Sequence, residues 1–226
     1  MTTVLPLPPG PIAAVVAHPD DESFGLGGLL AALAAEGRPV HVLCLTHGEA
    51  STLGLGEALA EVRRGELTAA AVQLGVATVR LLDLPDGHLE ACPAEELDGP
   101  IADWLSPDIV AVVAFEPNGV TGHGDHRAAT AAAERIADRV GVPVVEWGVD
   151  PATARYLGER YATSFAAIPD GPDVLDLVLD RDAQHAAVQC HRSQLDDDAL
   201  VLGRLAFQGD HERVRVRNPR LPVARS

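Results

Sequence analysis

Continuous apolar runs recur along the first two thirds of the chain, and their alternation with helix-like stretches constrains the fold more than any other feature. IAAVVAH at 12–18, PVHVLCLT at 39–46, TVRLLDL at 78–84, DIVAVVAF at 108–115 and PVVEWGV at 143–149 are short and rich in β-branched residues. That is the pattern of strands buried on both faces. Between them lie Leu- and Ala-rich stretches at 24–36 and 56–75, the first followed by Gly37 and the second ending on Gly75, as helices with glycine caps do. A further helix is predicted within 94–105 and another over 126–140. Strand–helix alternation of this kind implies an α/β fold: a doubly wound, Rossmann-like, mostly parallel sheet with helices on both faces and right-handed crossovers.

Beyond Asp150 the rhythm loosens, with a strand predicted at 174–180 and a helix at 181–191. No low-complexity linker and no internal repeat interrupts the chain. One domain over 1–226 is expected, with 1–10 as a lead and 150–226 as a C-terminal subregion. Residues 211–226 carry Arg213, Arg215, Arg217, Arg220 and Arg225 against a single Glu. On an acidic protein such a tail is expected to fold back onto its own surface or hang free.

Composition excludes several function classes. With 47% hydrophobic and 22% charged residues the chain can bury a core and is not disordered. A formal net charge of −16 opposes steering towards nucleic acid or an anionic membrane. All basic residues are Arg, so mechanisms needing a lysine amine are absent. Cys44, Cys92 and Cys190 are widely spaced and propose neither a disulfide framework nor a thiolate metal site. The N-terminal stretch MTTVLPLPPGP has no basic leader and no apolar run reaches membrane-spanning length, so a cytoplasmic protein without membrane insertion is expected.

Ligands of doubly wound sheets bind beyond the carboxyl ends of the strands, where strand order reverses. The first predicted strand ends in AHPDDESFG, crowding His18, Asp20, Asp21 and Glu22 into one turn; the fourth ends in FEPNGVTGHGDHRAA, crowding His123, Asp125 and His126 into another. If those strands flank the switch point, the clusters face each other. Two histidines and a carboxylate with a further Asp beside them suit a borderline divalent metal, most plausibly zinc with a position open for water. A lone Asp before a helix is usually a cap. Two turns serving only as caps would not need so many acids and imidazoles where one or two suffice. Two His and one carboxylate also suit Fe(II).

AHPDDE followed by GHGDH resembles the N-acetylglucosaminyl-phosphatidylinositol deacetylase family, the PIG-L or LmbE-like zinc-dependent deacetylases. The likeness extends through EVRRGE (61–66), LPDGHL (84–89), GVTGHGDH (119–126) and CHRSQ (190–194). It implies His18, Asp21 and His126 as metal ligands and Asp20 as general base. It also implies His123 as the residue that stabilises the oxyanion or protonates the leaving amine, Asp125 as a carboxylate orienting a histidine, and Arg63 and Asp86 as partners of sugar hydroxyls. Some family members carry a tyrosine two residues before the position of His123, where this chain has Thr121.

The function expected is therefore removal of an N-acyl group, most simply acetyl, from an amino sugar such as an N-acetylglucosamine conjugate, with Zn2+ (or Fe2+) as cofactor. Its partners would be a small-molecule amino-sugar substrate and no nucleic acid, and a homo-oligomer is compatible with the sequence. Amide cleavage in a thiol conjugate or another small amide, and a non-catalytic metal- or sugar-binding module, stay open as alternatives. Glu22 fits either a hydrogen bond to a ligand or the first turn of a helix. Residues 191–194 are expected to cap or buttress the structure, and GLGG (25–28) to serve close helix packing.

Overall fold

The computed structural model describes residues 5–50, 57–195 and 199–218. The apolar runs form the parallel part of a seven-stranded sheet: β1 (Ile12–Val16), β2 (Val40–Cys44), β3 (Thr78–Leu81), β4 (Ala111–Phe115) and β5 (Val144–Gly148). β6 (Val174–Val178) and β7 (His211–Arg217) complete it in the order β3-β2-β1-β4-β5-β7-β6. β1, β4 and β5 are buried at every position, which is why β1 and β4 read as unbroken apolar runs and β5 as a run broken only by Glu146. Most strands stop short of their runs because the last residues leave the sheet for the loops at its carboxyl edge. The doubly wound α/β architecture is the one expected.

Ile12 of β1 lies in register with Val40 of β2 on one side and Ala111 of β4 on the other. Strand order therefore reverses beside β1: the chain builds outward through β2 and β3, then returns to place β4 and β5 on the opposite flank. The turns leaving β1 and β4 emerge side by side, the position at which such sheets bind ligands.

The helix expected at 24–36 is two pieces, α1 (Asp21–Phe24) and α2 (Gly27–Ala35), while α3 (Glu57–Gln73) and α4 (Ala94–Trp104) follow β2 and β3. α5 (Gly124–Val140) begins two residues earlier than predicted and ends on Gly141, whose φ of 80° is the left-handed cap conformation. Between β5 and β6 stands α6 (Pro151–Tyr161), and the helix expected at 181–191 is α7 (Asp182–Val188) followed by the short α8 (Arg192–Leu195) and then α9 (Ala199–Gln208). GLGG serves packing: a Cβ on Gly27 or Gly28 of α2 would collide with Gln184 of α7 or with Arg181 just before it.

The Arg-rich tail departs from expectation. Residues 211–217 are β7, antiparallel to both β5 and β6 and enclosed between them. Its alternation of Arg and Val reflects two faces. Val214 is fully buried, while Arg215 stands opposite Glu146 in register and pairs with it, and Arg213 meets Asp176 at 2.7 Å. Cross-strand ion pairs let a charged strand occupy a place inside the sheet. Arg220 and Arg225 lie outside the described residues. Among the described residues no helix is long and apolar enough to cross a membrane.

Candidate active site and metal centre

The turn after β1 carries His18, Asp20 and Asp21, and the turn after β4 carries His123, Asp125 and His126 at the start of α5; the strand order brings the two together. The rings of His18, His123 and His126 lie with centroids 4.8–5.2 Å apart. Donor atoms of His18, Asp21 and His126 lie within 4.8 Å of one another, and so do those of His18, His123 and Asp125.

Hydrogen bonds fix which atoms face the centre. The Nε2 edge of His18 lies 3.1 Å from Asp125 Oδ2 and 3.2 Å from Asp86 Oδ1. In the neutral ring those two acceptors place the proton on Nε2 and turn Nδ1 towards Asp21, 3.6 Å away. Conversely, His126 Nδ1 sits 3.3 Å from the Gly119 carbonyl, and its Nε2 faces Asp21 Oδ1, 3.1 Å distant. Asp21 Oδ2 is held by the amides of Ala17 and His18 at 3.1 and 2.9 Å. His18 Nδ1, a carboxylate oxygen of Asp21 and His126 Nε2 thus converge, a set of atoms that could hold a metal ion. A donor set of two imidazoles and one carboxylate, each steadied by a partner outside the centre, fits a divalent metal such as zinc.

The titration behaviour has the same cause. Burial alone would lower the pKa of His18, yet its hydrogen bonds to Asp125 and Asp86 raise it to about 10. Burial opposes ionisation of Asp21, but His126 and His18 hold its carboxyl far below the ordinary range. Against the same opposing burial, His18 and the Ala50 amide bring Asp86 down to about 2.

Asp20 is placed differently. Its carboxylate accepts from Arg63 Nη2 at 2.7 Å, and burial raises its pKa to about 6 against the pull of that guanidinium. Its backbone sits at φ 142°, ψ −30°, a conformation L-residues rarely adopt and one that persists only where surroundings enforce it. Arg63 on its carboxylate and Glu22 on its amide are among the contacts that hold it there. Glu22 is fully buried, accepts from the Asp20 amide at 3.0 Å through Oε2, and through Oε1 meets Ser23 Oγ at 2.6 Å and His191 Nε2 at 2.8 Å. Although burial favours a neutral ring, Glu22 holds the pKa of His191 above its ordinary value.

Arg63, only 4% exposed, also donates to the carbonyls of Pro19 and Gly48 at 2.7 and 2.8 Å. The charges of Arg63 and Asp86 are thus engaged inside the protein, and both residues line a polar hollow of about 250 Å³ together with Asp20, His123 and Gln194. His123 is exposed, and its Nδ1 accepts the Asp125 amide at 3.2 Å as the cap of α5. Partial desolvation of the ring and the neighbouring His126 and His18 lower its pKa, and with Nδ1 accepting from the Asp125 amide the neutral ring carries its proton on Nε2. Asp125 accepts from the amides of Gly87 and Leu89 at 2.7 and 2.9 Å as well as facing His18.

Sequence reasoning missed Thr46, whose hydroxyl lies 3.2 Å from Asp86 Oδ1, because a threonine ending a strand carries no signal. It also missed a second hollow of about 250 Å³, largely apolar, that shares His18 and Asp20 with the polar one and extends past Phe115 and Trp147. His47 pairs with Asp83 at 2.6 Å and His88 is exposed; neither belongs to the converging set.

Residues 13–137, more than half of the chain, match the family described as GlcNAc-PI de-N-acetylase (PIG-L). A 1D-myo-inositol 2-acetamido-2-deoxy-alpha-D-glucopyranoside deacetylase of Mycolicibacterium vanbaalenii is similar at 31% identity, over 80% of this chain and 79% of its own length. Among solved structures, a zinc-inhibited form of teicoplanin deacetylase aligns with a TM-score of 0.67 at 21% identity, over 92% of this chain and 97% of that one. The 4-carboxy-2-hydroxymuconate hydratase of Pseudomonas putida aligns with a TM-score of 0.68, also at 21% identity, over 97% and 100%. A hydratase beside a deacetylase on one architecture means that the reaction is chosen by the site, not by the fold. Sequence match, fold and the pair of facing turns agree: the chain belongs to the GlcNAc-PI de-N-acetylase (PIG-L) family.

Proposed function

We propose that this protein is a metal-dependent hydrolase that removes an N-acyl group from an amino-sugar conjugate. The observation that carries the reading is the convergence of His18 Nδ1, the Asp21 carboxylate and His126 Nε2 beside a separate, strained carboxylate, Asp20, that is not needed as a ligand. A zinc ion held by His18, Asp21 and His126 would supply Lewis acidity and a bound water acidified towards a pKa of about 7.

The remaining work falls to the chain's own groups. Arg63 ties down Oδ2 of Asp20, leaving Oδ1 to accept a proton from the attacking water and return it to the departing nitrogen. A carboxylate raised to about 6 is matched to both transfers near neutral pH. His123 Nε2–H donates to the carbonyl oxygen as negative charge develops there, in a pre-set position that needs no reorganisation. Asp125 and Asp86 keep His18 in the tautomer that aims Nδ1 inward. The polar hollow bearing Asp86, Arg63 and Gln194 is suited to sugar hydroxyls.

Relatives named as deacetylases of an N-acetylglucosaminyl inositol support an amino sugar as the substrate class. The test is amine release from a panel of N-acetylglucosamine conjugates, measured on chelated protein and after zinc is restored, with metal content determined on the same samples. Zinc-dependent release is expected. Stoichiometric zinc without release would reject the substrate class, and failure to bind metal would reject the roles given to His18, Asp21 and His126.

A further inference from the structure

The two hollows at the centre differ in character. The polar one holds Arg63, Asp86, His123 and Gln194. The other is walled by Phe24, Phe115, Val120, Trp147, Phe165 and Val201. Both reach His18 and Asp20, so the reacting carbon lies where they meet. An amide carbonyl carbon bears nitrogen on one side and the acyl carbon on the other. With the sugar nitrogen directed to the polar side, the acyl carbon is directed to the apolar side. We propose that the apolar hollow is an acyl-chain pocket, and that the protein prefers a medium-length apolar N-acyl group, about six carbons long, over acetyl. This rests on the deacylation reading above.

Size is the first support. An apolar cavity of roughly 150 Å³ already admits a benzene ring, and this hollow offers about 250 Å³, far more than one methyl group requires. Lining is the second. Phe115 and Trp147 come from the core and pack on each other with centroids 5.3 Å apart, and Trp147 is 1% exposed. The floor is therefore fixed by β4 and β5 and does not depend on a loop. The one charged side chain in the wall away from the reacting centre, Arg204, is buried; its Nη groups are taken by Gln208 Oε1 and the Phe24 carbonyl, and its guanidinium lies 5.0 Å from the Trp147 ring. One donor of each Nη is thereby satisfied within the wall. Continuity is the third support, since His126 and Asp21 stand in the same wall.

Each methylene moved from water into such a pocket is worth roughly fourfold in kcat/KM. A hexanoyl group adds four methylenes to acetyl, a ceiling of about 200-fold, so the zinc-loaded full-length protein should hydrolyse N-hexanoylglucosamine at least about tenfold more efficiently than N-acetylglucosamine. Val201→Trp, which narrows the pocket, should bring that ratio close to one. Binding is read independently of turnover. Trp104 and Trp147 are the only tryptophans, so in the zinc-loaded Trp104→Phe, Asp20→Asn protein the emission of Trp147 should shift with N-hexanoylglucosamine and not with N-acetylglucosamine.

Equal or higher efficiency on the acetyl compound, with Trp147 silent to both, overturns the acyl pocket and leaves deacetylation standing. A gain for an octyl glycoside of N-acetylglucosamine with none for the hexanoyl amide also overturns it, since the pocket would then hold the aglycone. Absence of amine release from every compound counts against the deacylase reading, and the Trp147 response then decides the pocket alone.

Discussion

Glu22 gives the sharpest test of how the centre is held together. Replacing it with Ala removes the acceptor of three donors, the Asp20 amide, Ser23 Oγ and His191 Nε2, which lie at 3.0, 2.6 and 2.8 Å. Glu22 and His191 are both completely buried, so water does not replace the lost partner without rearrangement. A buried donor left unsatisfied costs about 1–3 kcal/mol, but the losses are not additive because the Ser23 hydroxyl can rotate. Removing one partner of a buried ion pair costs about 3–5 kcal/mol, which is the expected total. For a chain of this size 1 kcal/mol moves Tm by roughly 2–4 °C, giving a fall of about 6–20 °C by calorimetry on zinc-loaded protein.

Function should fall with it. Without the Glu22 contact, Asp20 relaxes from φ 142°, and misplacement of a reacting group by about 1 Å costs on the order of 100-fold in rate. Glu22→Gln keeps the volume and one accepting oxygen, and His191, whose Nδ1 has no partner, can change tautomer to accept from the new amide. It should therefore lose less than half the stability that the alanine variant loses. A Glu22→Ala protein within about 1 kcal/mol of wild type would refute the claim that this pair supports the turn.

Asp20→Asn should retain stoichiometric metal and lower kcat by about 100- to 10,000-fold, the range for loss of a general base; loss of metal with it would make Asp20 a ligand instead. Arg63→Met removes the partner of the half-buried Asp20 carboxylate and the donor to the Pro19 and Gly48 carbonyls, and should cost about 1–3 kcal/mol in chemical denaturation as well as activity; an unchanged midpoint would show that Arg63 serves only substrate. Asp150, whose carboxylate caps α6 at 2.8 and 3.0 Å from the Ala152 and Thr153 amides, should contribute about 1 kcal/mol at pH 7. Burial opposes its ionisation, but Thr153 and those amides hold its pKa below the ordinary value. The contribution is thus complete above the unfolded pKa of about 3.9 and is lost as pH falls through the lower folded value. Asp150→Ala and wild type should converge in Tm in that acidic range, and a constant difference would contradict the cap. Chelation should lower Tm, and zinc returned at about 100 times Kd should restore roughly 2.7 kcal/mol; a Tm indifferent to zinc would remove the metal centre.

The sequence alone carried the parallel half of the fold and the chemistry of the two turns. Strands buried on both faces rarely hide in a sequence, because nearly every position is apolar, and β1, β2, β4 and β5 announce themselves so despite His41 and Glu146. His18, Asp20, Asp21, His123, Asp125 and His126 were legible because they crowd where strands end. β7 was not, since a strand enclosed by neighbours that supply Glu146 and Asp176 can place Arg at alternate positions, and no local pattern reveals a partner tens of residues away. α6 had a local signal, Asp150 followed by Pro151, but a half-exposed helix has no continuous apolar run.

Tertiary structure decided how those residues are used. Strand order set β1 beside β4, and with it the meeting of turns about a hundred residues apart. It set Arg63 against Asp20 rather than leaving it free, and paired Glu22 with His191 across 169 positions. It also built the apolar hollow from Phe24, Phe115, Trp147 and Val201, each an ordinary core residue when read locally. Residue type sets what a side chain can donate, accept or bury; which atom faces which partner depends on long-range packing, and that is where tautomers, strain and pocket shape are settled.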